Sequence, residues 1–204
     1  AQNKSNGVPK IVVGITVDQL RTDYIEAFSS LYGEKGFKRL LKEGRLYTNV
    51  EFDFNNIDKS SATAAIYTGT TPSLNGILGD SWFDRNTLTV TSSVDDKNYM
   101  GIYTSESTSA EKLKVSNLSD ELMAATNGKA ETYSISPFRE MSIMMSGHAS
   151  KGAFWINDET GKWSGTTYYT DFPKWVSNYN DRQGLDFRIG DIVWIPSLPV
   201  TLYD

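Results

Sequence analysis

The chain has 204 residues, and its 20 lysines and arginines against 25 aspartates and glutamates give a formal net charge of −5. This acidic balance argues against a dedicated nucleic-acid binder, which normally presents a basic surface. The chain has no cysteine and one histidine, His148, which excludes disulfides, thiolate metal sites and any metal centre that takes several imidazoles from this chain alone. Its 39% hydrophobic content is typical of a globular protein, and no apolar run approaches the roughly 18 residues of a membrane span.

The first apolar run, Lys10–Val17, is continuous and rich in β-branched residues. Such a run is typical of a strand that is buried on both faces of a parallel sheet. Asp18 follows it directly, at the end of the predicted strand where open α/β sheets bind their ligands. Its carboxylate can bind a cation there or accept hydrogen bonds from backbone N–H groups at a helix start, and the local pattern favours neither.

The segment Lys59-Ser60-Ser61 precedes a predicted helix of small residues, Ala62–Tyr67, which ends at Gly69. A helix start attracts phosphate through its unpaired N–H groups, and a hydroxyl there becomes a nucleophile if a metal or a base lowers its pKa. On local evidence the simpler interpretation is better supported, and it makes Ser60 or Ser61 an ordinary N-cap.

Strands and helices alternate along the rest of the chain, so the predicted fold class is α/β. His148 is predicted to be a structural hydrogen-bonding residue, and the aromatic residues near residues 154–169 are predicted to pack a hairpin. The other predicted elements are a helix over Gly36–Glu43 ending at Gly44, a strand over Leu46–Phe54, a loop over Thr71–Gly76, a hairpin within Ser81–Val94, an irregular stretch over Glu106–Ser116, a helix over Leu118–Ala125, a strand over Glu131–Ser136, a hairpin of Gly152–Ile156 with Trp163–Tyr169, and a helix starting over Trp175–Tyr179.

The two ends of the chain differ in character. Residues 1–9 are polar and are predicted to be a flexible segment ahead of a domain over residues 10–204. A start at Ala1-Gln2 without cysteine anywhere favours a processed, secreted or periplasmic bacterial protein. The apolar run Asp191–Pro196 lies close to the end of the chain, which suggests a piece of a longer protein.

Several spaced segments, taken together and in order, carry a family resemblance. They are Val12–Arg21, Gly36–Leu40, Ile66–Ile77 (IYTGTTPSLNGI), Gly79–Asp84 (GDSWFD), Ser146–His148, Gly152–Trp155, Thr167–Tyr169 and Pro173–Val176. This series resembles the alkaline phosphatase superfamily, in the branch of monoesterase-type bacterial alkaline phosphatases and type I phosphodiesterases or nucleotide pyrophosphatases. The resemblance implies an α/β/α sandwich of the alkaline-phosphatase type, with a mostly parallel sheet and β-hairpin insertions, incomplete in this chain.

The resemblance also implies the family chemistry, in which two zinc ions activate a Thr or Ser nucleophile that forms a covalent phospho-enzyme. The family's first metal-binding Asp corresponds to Asp18. In a gapless register the nucleophile corresponds to Lys59, and a one-residue shift puts Ser60 there instead. The phosphate-binding Asn corresponds to Asp80.

A further pair of phosphate-binding residues in the monoesterase branch, a Lys and an Arg two positions apart, corresponds to Phe138 and Glu140 in this chain. Arg139, between them, is a candidate substitute. The family's remaining metal ligands have no counterpart in these residues.

These departures favour an alkaline-phosphatase-like protein that is degenerate or incomplete as a catalyst. One alternative is the N-terminal part of an active zinc-dependent phosphomonoesterase or phosphodiesterase with a Ser nucleophile, acting on a small phosphate ester. A second is a non-catalytic ligand- or protein-binding module at the cell surface. For the degenerate form we expect Lys59 to approach Asp18 within salt-bridge range, since a cation there would neutralise the carboxylate that zinc neutralises in the family. The sequence does not indicate the oligomeric state.

Overall fold

A computed structural model describes residues 10–170 and 172–182, together with residues 192, 193, 195, 196, 199 and 201. The flexible segment predicted for residues 1–9 lies outside the described residues. The contacts divide the chain into two compact units, Ala1–Glu51 and Phe52–Asp204.

The first unit contains two short helices, α1 over Thr22–Ala27 and α2 over Phe37–Glu43, with a single 3-10 turn over Ser29–Leu31 between them. Helix α2 confirms the predicted helix and its end at Gly44. The Gly44 N–H donates to the carbonyl of Leu40 at 2.9 Å, and a Cβ on Gly44 would lie 2.5 Å from that oxygen. Glycine is therefore the residue that allows the chain to leave the helix along this path.

The strands predicted over Lys10–Val17 and Leu46–Phe54 are wrong, because neither segment belongs to a β-ladder. Val13 and Ile15 are 73% and 82% exposed. A strand exists only where a neighbour pairs its N–H and C=O groups, and among the described residues these segments have no such neighbour. A run of β-branched residues indicates a preference for extended backbone, but it does not show that a partner strand lies beside it.

The second unit carries the remaining elements, which alternate between helices and strands as the α/β class predicts. They are α3 Lys59–Thr68, α4 Pro72–Asn75, β1 Ser81–Asp84, β2 Thr89–Ser92, β3 Gly101–Ile102, α5 Leu118–Ala125, β4 Tyr133–Ser136, α6 Arg139–Ser146, β5 Gly152–Ile156, β6 Trp163–Thr166 and α7 Lys174–Arg182. Both predicted hairpins are confirmed, and the segment predicted as a loop over residues 71–76 contains the single helical turn α4. Among the described helices, none combines the length and the apolar character that a membrane crossing requires.

The main sheet has the strand order β3-β6-β5-β4, and β1 pairs with β2 in a separate two-stranded sheet. Strands β4 and β5 are parallel and are connected through α6, whereas β5–β6 and β3–β6 are antiparallel. The expectation of a mostly parallel sheet is therefore corrected to a mixed one. The reason is local, since the tight connection after β5 can only return an antiparallel strand.

The core lies between the sheet and helices α3 and α6. Trp155 of β5 is 1% exposed and belongs to one buried cluster with Ile143 and Met144 of α6 and Ala64 of α3. The neighbouring Phe154 points to the opposite face of the sheet, where its ring packs against that of Trp175 of α7, with 5.7 Å between the ring centroids. Helices therefore cover both faces, which confirms the sandwich within this unit, and each large buried side chain contributes about 1.5–3 kcal/mol.

Helix α3 begins one turn earlier than predicted, and its N-cap is Asp58 rather than Ser60 or Ser61. The Asp58 carboxylate accepts a hydrogen bond from the Ser61 N–H at 2.9 Å, and the Ser61 hydroxyl accepts one from the Asp58 N–H at 3.0 Å. This reciprocal capping box fixes the first turn. The helix ends as predicted at Gly69, whose φ of +67° lies in the left-handed region.

Helix α6 was not predicted, because serines interrupt its apolar pattern. Two of these serines, Ser142 and Ser146, form hydrogen bonds with a buried serine of β4. The Oγ of Ser134 lies 2.6 Å from the Oγ of Ser146 and 2.9 Å from the Oγ of Ser142. Ser142 and Ser146 also donate to the carbonyls of Phe154 and Gly152 on β5. The hydroxyls thus tie the helix to both parallel strands, and a buried polar group costs little once it is hydrogen-bonded.

His148 has the structural role predicted for it, because both ring nitrogens face acceptors. Nδ1 lies 2.9 Å from Oδ2 of Asp120, and Nε2 lies 2.8 Å from the carbonyl oxygen of Leu113. Only the imidazolium form donates from both nitrogens, and the hydrogen bond to Asp120 raises the pKa of His148 above its ordinary 6.5, while burial opposes this in part. Burial works against ionisation of Asp120, but hydrogen bonds from His148, Ala149 and Asn117 outweigh it and lower its pKa below 3.8.

We expect His148→Gln to destabilise the protein most between about pH 4 and pH 6.5, by about 1–2 kcal/mol in the free energy of unfolding. In that window Asp120 is ionised and His148 is protonated. A raised pKa stabilises the fold below the unfolded-state pKa, and the contribution falls as the pH rises through the folded-state value. Urea unfolding at about pH 5.5 and pH 9 measures the difference, with the exposed Lys129→Gln as control. A destabilisation that grows with pH would contradict this assignment.

Candidate functional site

The sequence candidates of the second unit meet at the first turn of α3. The Lys59 ammonium Nζ lies 3.6 Å from Oδ2 of Asp80. The other carboxylate oxygen, Oδ1, accepts two hydrogen bonds from Ser60, one from its N–H at 2.9 Å and one from its hydroxyl at 2.7 Å. Asp80 therefore binds both residues that compete for the nucleophile position.

Ser60 is fully buried. Besides its bond to Asp80, its Oγ lies 3.0 Å from Oγ of Ser93, which is also fully buried. A hydroxyl in this position has its hydrogen-bonding capacity occupied on the inside of the protein. It can reach a dissolved substrate only if the first turn of α3 moves.

Lys59 is held at the edge of this cluster rather than inside it. Its side chain is 33% exposed and that of Asp80 is 38% exposed. Its Nζ also lies 4.9 Å from the centroid of the Phe138 ring, within the range of a cation–π contact. The structure thus brings together three positions, Lys59, Asp80 and Phe138, that are far apart in the sequence.

Backbone contacts fix the position of Asp80 relative to α3. The Asp80 N–H donates to Oδ2 of Asp58, the N-cap of the helix, at 2.7 Å. A Cβ on the preceding Gly79 would lie 2.6 Å from Nδ2 of Asn56 and 2.7 Å from that same Asp58 oxygen. Only glycine allows this close approach, so Gly79 is a positioning residue for the Asp80 carboxylate.

Arg139 lies at the start of α6 and is surrounded by acids. Its side chain is 13% exposed, and its guanidinium lies 3.0 Å from Asp95, 3.4 Å from Glu106 and 3.3 Å from Glu140. One positive charge against three negative ones leaves a local excess of negative charge. A guanidinium held in this way is not available to bind an anion such as phosphate.

Asp18 lies in the first unit, where it is exposed and follows the extended run of residues 10–17. Within the second unit the ion-pair partner of Lys59 is Asp80. The expected approach of Lys59 to Asp18 stays a prediction.

Three residues that contact the candidate site residues were not identified from the sequence: Asp58 beside Asp80, Ser93 beside Ser60, and Asp95 beside Arg139. Ser93 is 33 positions from Ser60, and Asp95 is 44 positions from Arg139. No spacing rule links residues that far apart. The capping residue Asp58 was detectable, since Asp followed three residues later by a polar side chain is typical of a helix start.

The described residues form no donor set that fits a zinc pair. Across residues 10–170 and the other described positions, no group of three or more His, Asp or Glu side chains is arranged to hold a metal ion. The side chain of Lys59, at the first turn of α3, carries an ammonium group, and its positive charge would repel a metal ion bound there.

The layered α/β architecture and the segments around Asp18, Asp80 and Gly147-His148 define an alkaline-phosphatase-type protein. The model of the family described as type I phosphodiesterase / nucleotide pyrophosphatase matches residues 12–197. The chain therefore belongs to this family, within the alkaline phosphatase superfamily.

Similar proteins agree with this assignment. The alkaline phosphatase PafA of Elizabethkingia meningoseptica is 35% identical over 98% of this chain, and PhoV of Synechococcus elongatus is 34% identical over 96%. A calcium-transporting ATPase of Myroides odoratus is also 34% identical over 96%. The crystal structure of wild-type PafA superposes with a TM-score of 0.87 over 97% of this chain. The chain spans only 36–38% of the length of these three relatives.

We expect a weak coupling between Lys59 and Asp80, below about 1 kcal/mol, because a third of each side chain faces water. A double-mutant cycle of Lys59→Met with Asp80→Asn, followed by urea unfolding, measures it. Asp80→Asn alone should cost more, about 1–2 kcal/mol, because it weakens both hydrogen bonds from Ser60. A coupling above about 3 kcal/mol would mean that the pair is desolvated, and no cost for Asp80→Asn would remove its anchoring role.

Proposed function

We propose that this chain is a degenerate member of its family, related to metal-dependent phosphate ester hydrolases but incomplete as a catalyst. The observation that carries the proposal is the ion pair of Lys59 with Asp80. By resemblance, Asp80 stands where the family has its phosphate-binding amide, and in the gapless register Lys59 stands where the family has its nucleophile. Together they form a neutral pair that needs neither metal nor phosphate.

The chemistry of each residue supports this proposal. An ammonium has no lone pair while protonated and cannot act as a metal-bound alkoxide. A carboxylate facing a phosphoryl group repels it, whereas the transition state requires positive donors. Phe138 offers no charge at the third position, and Arg139 is already bound by Asp95, Glu106 and Glu140.

The leading alternative is the N-terminal part of an active zinc-dependent phosphomonoesterase or phosphodiesterase that uses Ser60. The burial of Ser60 and its bonds to Asp80 and Ser93 argue against it. A second alternative, a ligand-binding module at the cell surface, is compatible with a silent catalytic position. In each of these proposals the protein is secreted or periplasmic.

We expect the purified chain to retain less than one equivalent of zinc after dialysis, since it offers one assigned ligand, Asp18, and one histidine. Elemental analysis after loading with excess zinc tests this, with Asp18→Asn as the matched variant. Two equivalents held at sub-micromolar affinity, and lost in Asp18→Asn, would overturn the proposal.

We expect hydrolysis of aryl phosphate monoesters and diesters by this chain to stay at background, with or without added zinc, because no described group supplies both a nucleophile and positive donors. PafA assayed in the same buffer is the positive control. Metal-dependent turnover that is abolished by Ser60→Ala but survives in Ser93→Ala would establish Ser60 as the nucleophile. The Ser93 variant is the matched control, because it removes the same buried hydrogen bond and leaves the Ser60 hydroxyl in place.

A further inference from the structure

The carboxylate of Asp80 is held by donors of three different kinds. Its Oδ1 accepts the N–H of Ser60 at 2.9 Å and the hydroxyl of Ser60 at 2.7 Å, and its Oδ2 lies 3.6 Å from the ammonium of Lys59. Backbone N–H groups, hydroxyls and ammonium groups are the donors with which proteins bind free oxyanions. The Asp80 side chain therefore occupies the position of a bound anion while it remains attached to the chain.

The backbone donor of this set has no acceptor inside its own helix. Ser60 is the second residue of the ten-residue helix α3, and the first four N–H groups of a helix lack an intrahelical partner. The N–H of Ser61 is satisfied by the N-cap Asp58, but that of Ser60 bonds to Asp80, 20 positions away. An anion at this place is also favoured by the positive end of the helix dipole.

The hydroxyl donor is fixed in direction by burial. Ser60 is fully buried, and its Oγ lies between Oδ1 of Asp80 at 2.7 Å and Oγ of the equally buried Ser93 at 3.0 Å. A buried donor is costly to leave without an acceptor. Truncation of Asp80 would therefore leave the N–H and the hydroxyl of Ser60 directed at a space of the size of a carboxylate.

This space would be open to solvent and balanced in charge. The side chains of Asp80 and Lys59 are 38% and 33% exposed, so a small ion can enter from outside. The opposing charge is the carboxylate of Asp58, whose Oδ2 accepts the N–H of Asp80 at 2.7 Å. Without the Asp80 carboxylate, Lys59 and Asp58 neutralise each other, and one bound monovalent anion restores the charge that the protein now has.

We propose that Asp80 is a built-in inhibitor of a latent oxyanion site formed by Lys59 and Ser60, and that this site binds a small free carboxylate ion once the Asp80 carboxylate is removed. The inference rests on the proposed function and adds a cause to it, because a tethered anion excludes free ones through its high effective concentration. The ligand class is a monocarboxylate of the size of formate, since that is the group the donors now hold.

The test is the full-length Asp80→Ala variant, titrated with sodium formate at neutral pH in the presence of a metal chelator. The backbone amide resonance of Ser60 in ¹⁵N-labelled protein should shift in a saturable manner, with a dissociation constant on the order of millimolar for an ion of three heavy atoms. Inorganic phosphate, which is larger, should bind more weakly, and sodium chloride at equal ionic strength should not reproduce the formate shift. No saturable shift with formate, or tighter binding of phosphate, would overturn the proposal.

Two further variants separate the tethered anion from a general loosening of the fold. Asp80→Asn keeps the volume of the side chain and an oxygen that accepts from Ser60, so it should bind no formate, as in the unchanged protein. Lys59→Met combined with Asp80→Ala should bind formate about fivefold more weakly than Asp80→Ala alone, because it removes a partly exposed charge. Formate binding by Asp80→Asn, or equal affinity with and without Lys59, would contradict the assigned roles.

Melting temperature provides a second measurement that also applies to a destabilised variant. A ligand that binds only the folded state raises its stability, so formate should raise the melting temperature of Asp80→Ala and leave that of Asp80→Asn unchanged. Equal effects on both variants would contradict the proposal. Hydrolysis of aryl phosphates by the unchanged protein is measured separately: turnover there would overturn the loss of catalysis, whereas absence of formate binding by Asp80→Ala would overturn the latent site alone.

Discussion

The carboxylate of Asp80 is the interaction on which the described site depends. One oxygen takes both donors of Ser60, and the other faces the ammonium of Lys59. This single side chain joins the first turn of α3 to the start of β1, while the N-cap Asp58 accepts the N–H of Asp80 and closes the same junction. The arrangement is self-sufficient, because each buried donor has an acceptor inside the protein. The proposed loss of catalysis rests on this arrangement, because a hydrolase site requires a nucleophile that stays reactive and donors that stay unpaired until a substrate arrives.

The charged side chains around the start of α6 are also paired with one another. Arg139 stands where the family resemblance leads one to look for phosphate recognition, yet Asp95, Glu106 and Glu140 surround it. A partly buried guanidinium among three carboxylates stabilises the fold and holds the loops that carry them.

The hairpins and the helices α2 and α5 follow from local signals, namely alternation, turn residues and glycine at helix ends. Helix α6 was missed because Ser142 and Ser146 break its apolar stripe, and those serines become acceptable only through contacts with β4 and β5. The run Lys10–Val17 shows the reverse case: its local preference is strong, but a preference for extended backbone becomes a strand only next to a partner. The cap of α3 was misplaced by a few residues because serines and aspartates compete for the same role and Asp58 is the one in reach of Ser61.

The sequence by itself determined the family and the α/β class, since spaced motifs and residue types are properties of the chain alone. It also identified both candidates for the nucleophile, Lys59 and Ser60, but it did not decide between them. Only the tertiary structure showed that Ser60 is enclosed and that Lys59 turns to Asp80. It also revealed that Asp95, Glu106 and Glu140 surround the guanidinium of Arg139. The physical reason is that burial, charge balance and unsatisfied hydrogen bonds depend on residues tens of positions apart, and only folding brings those residues together.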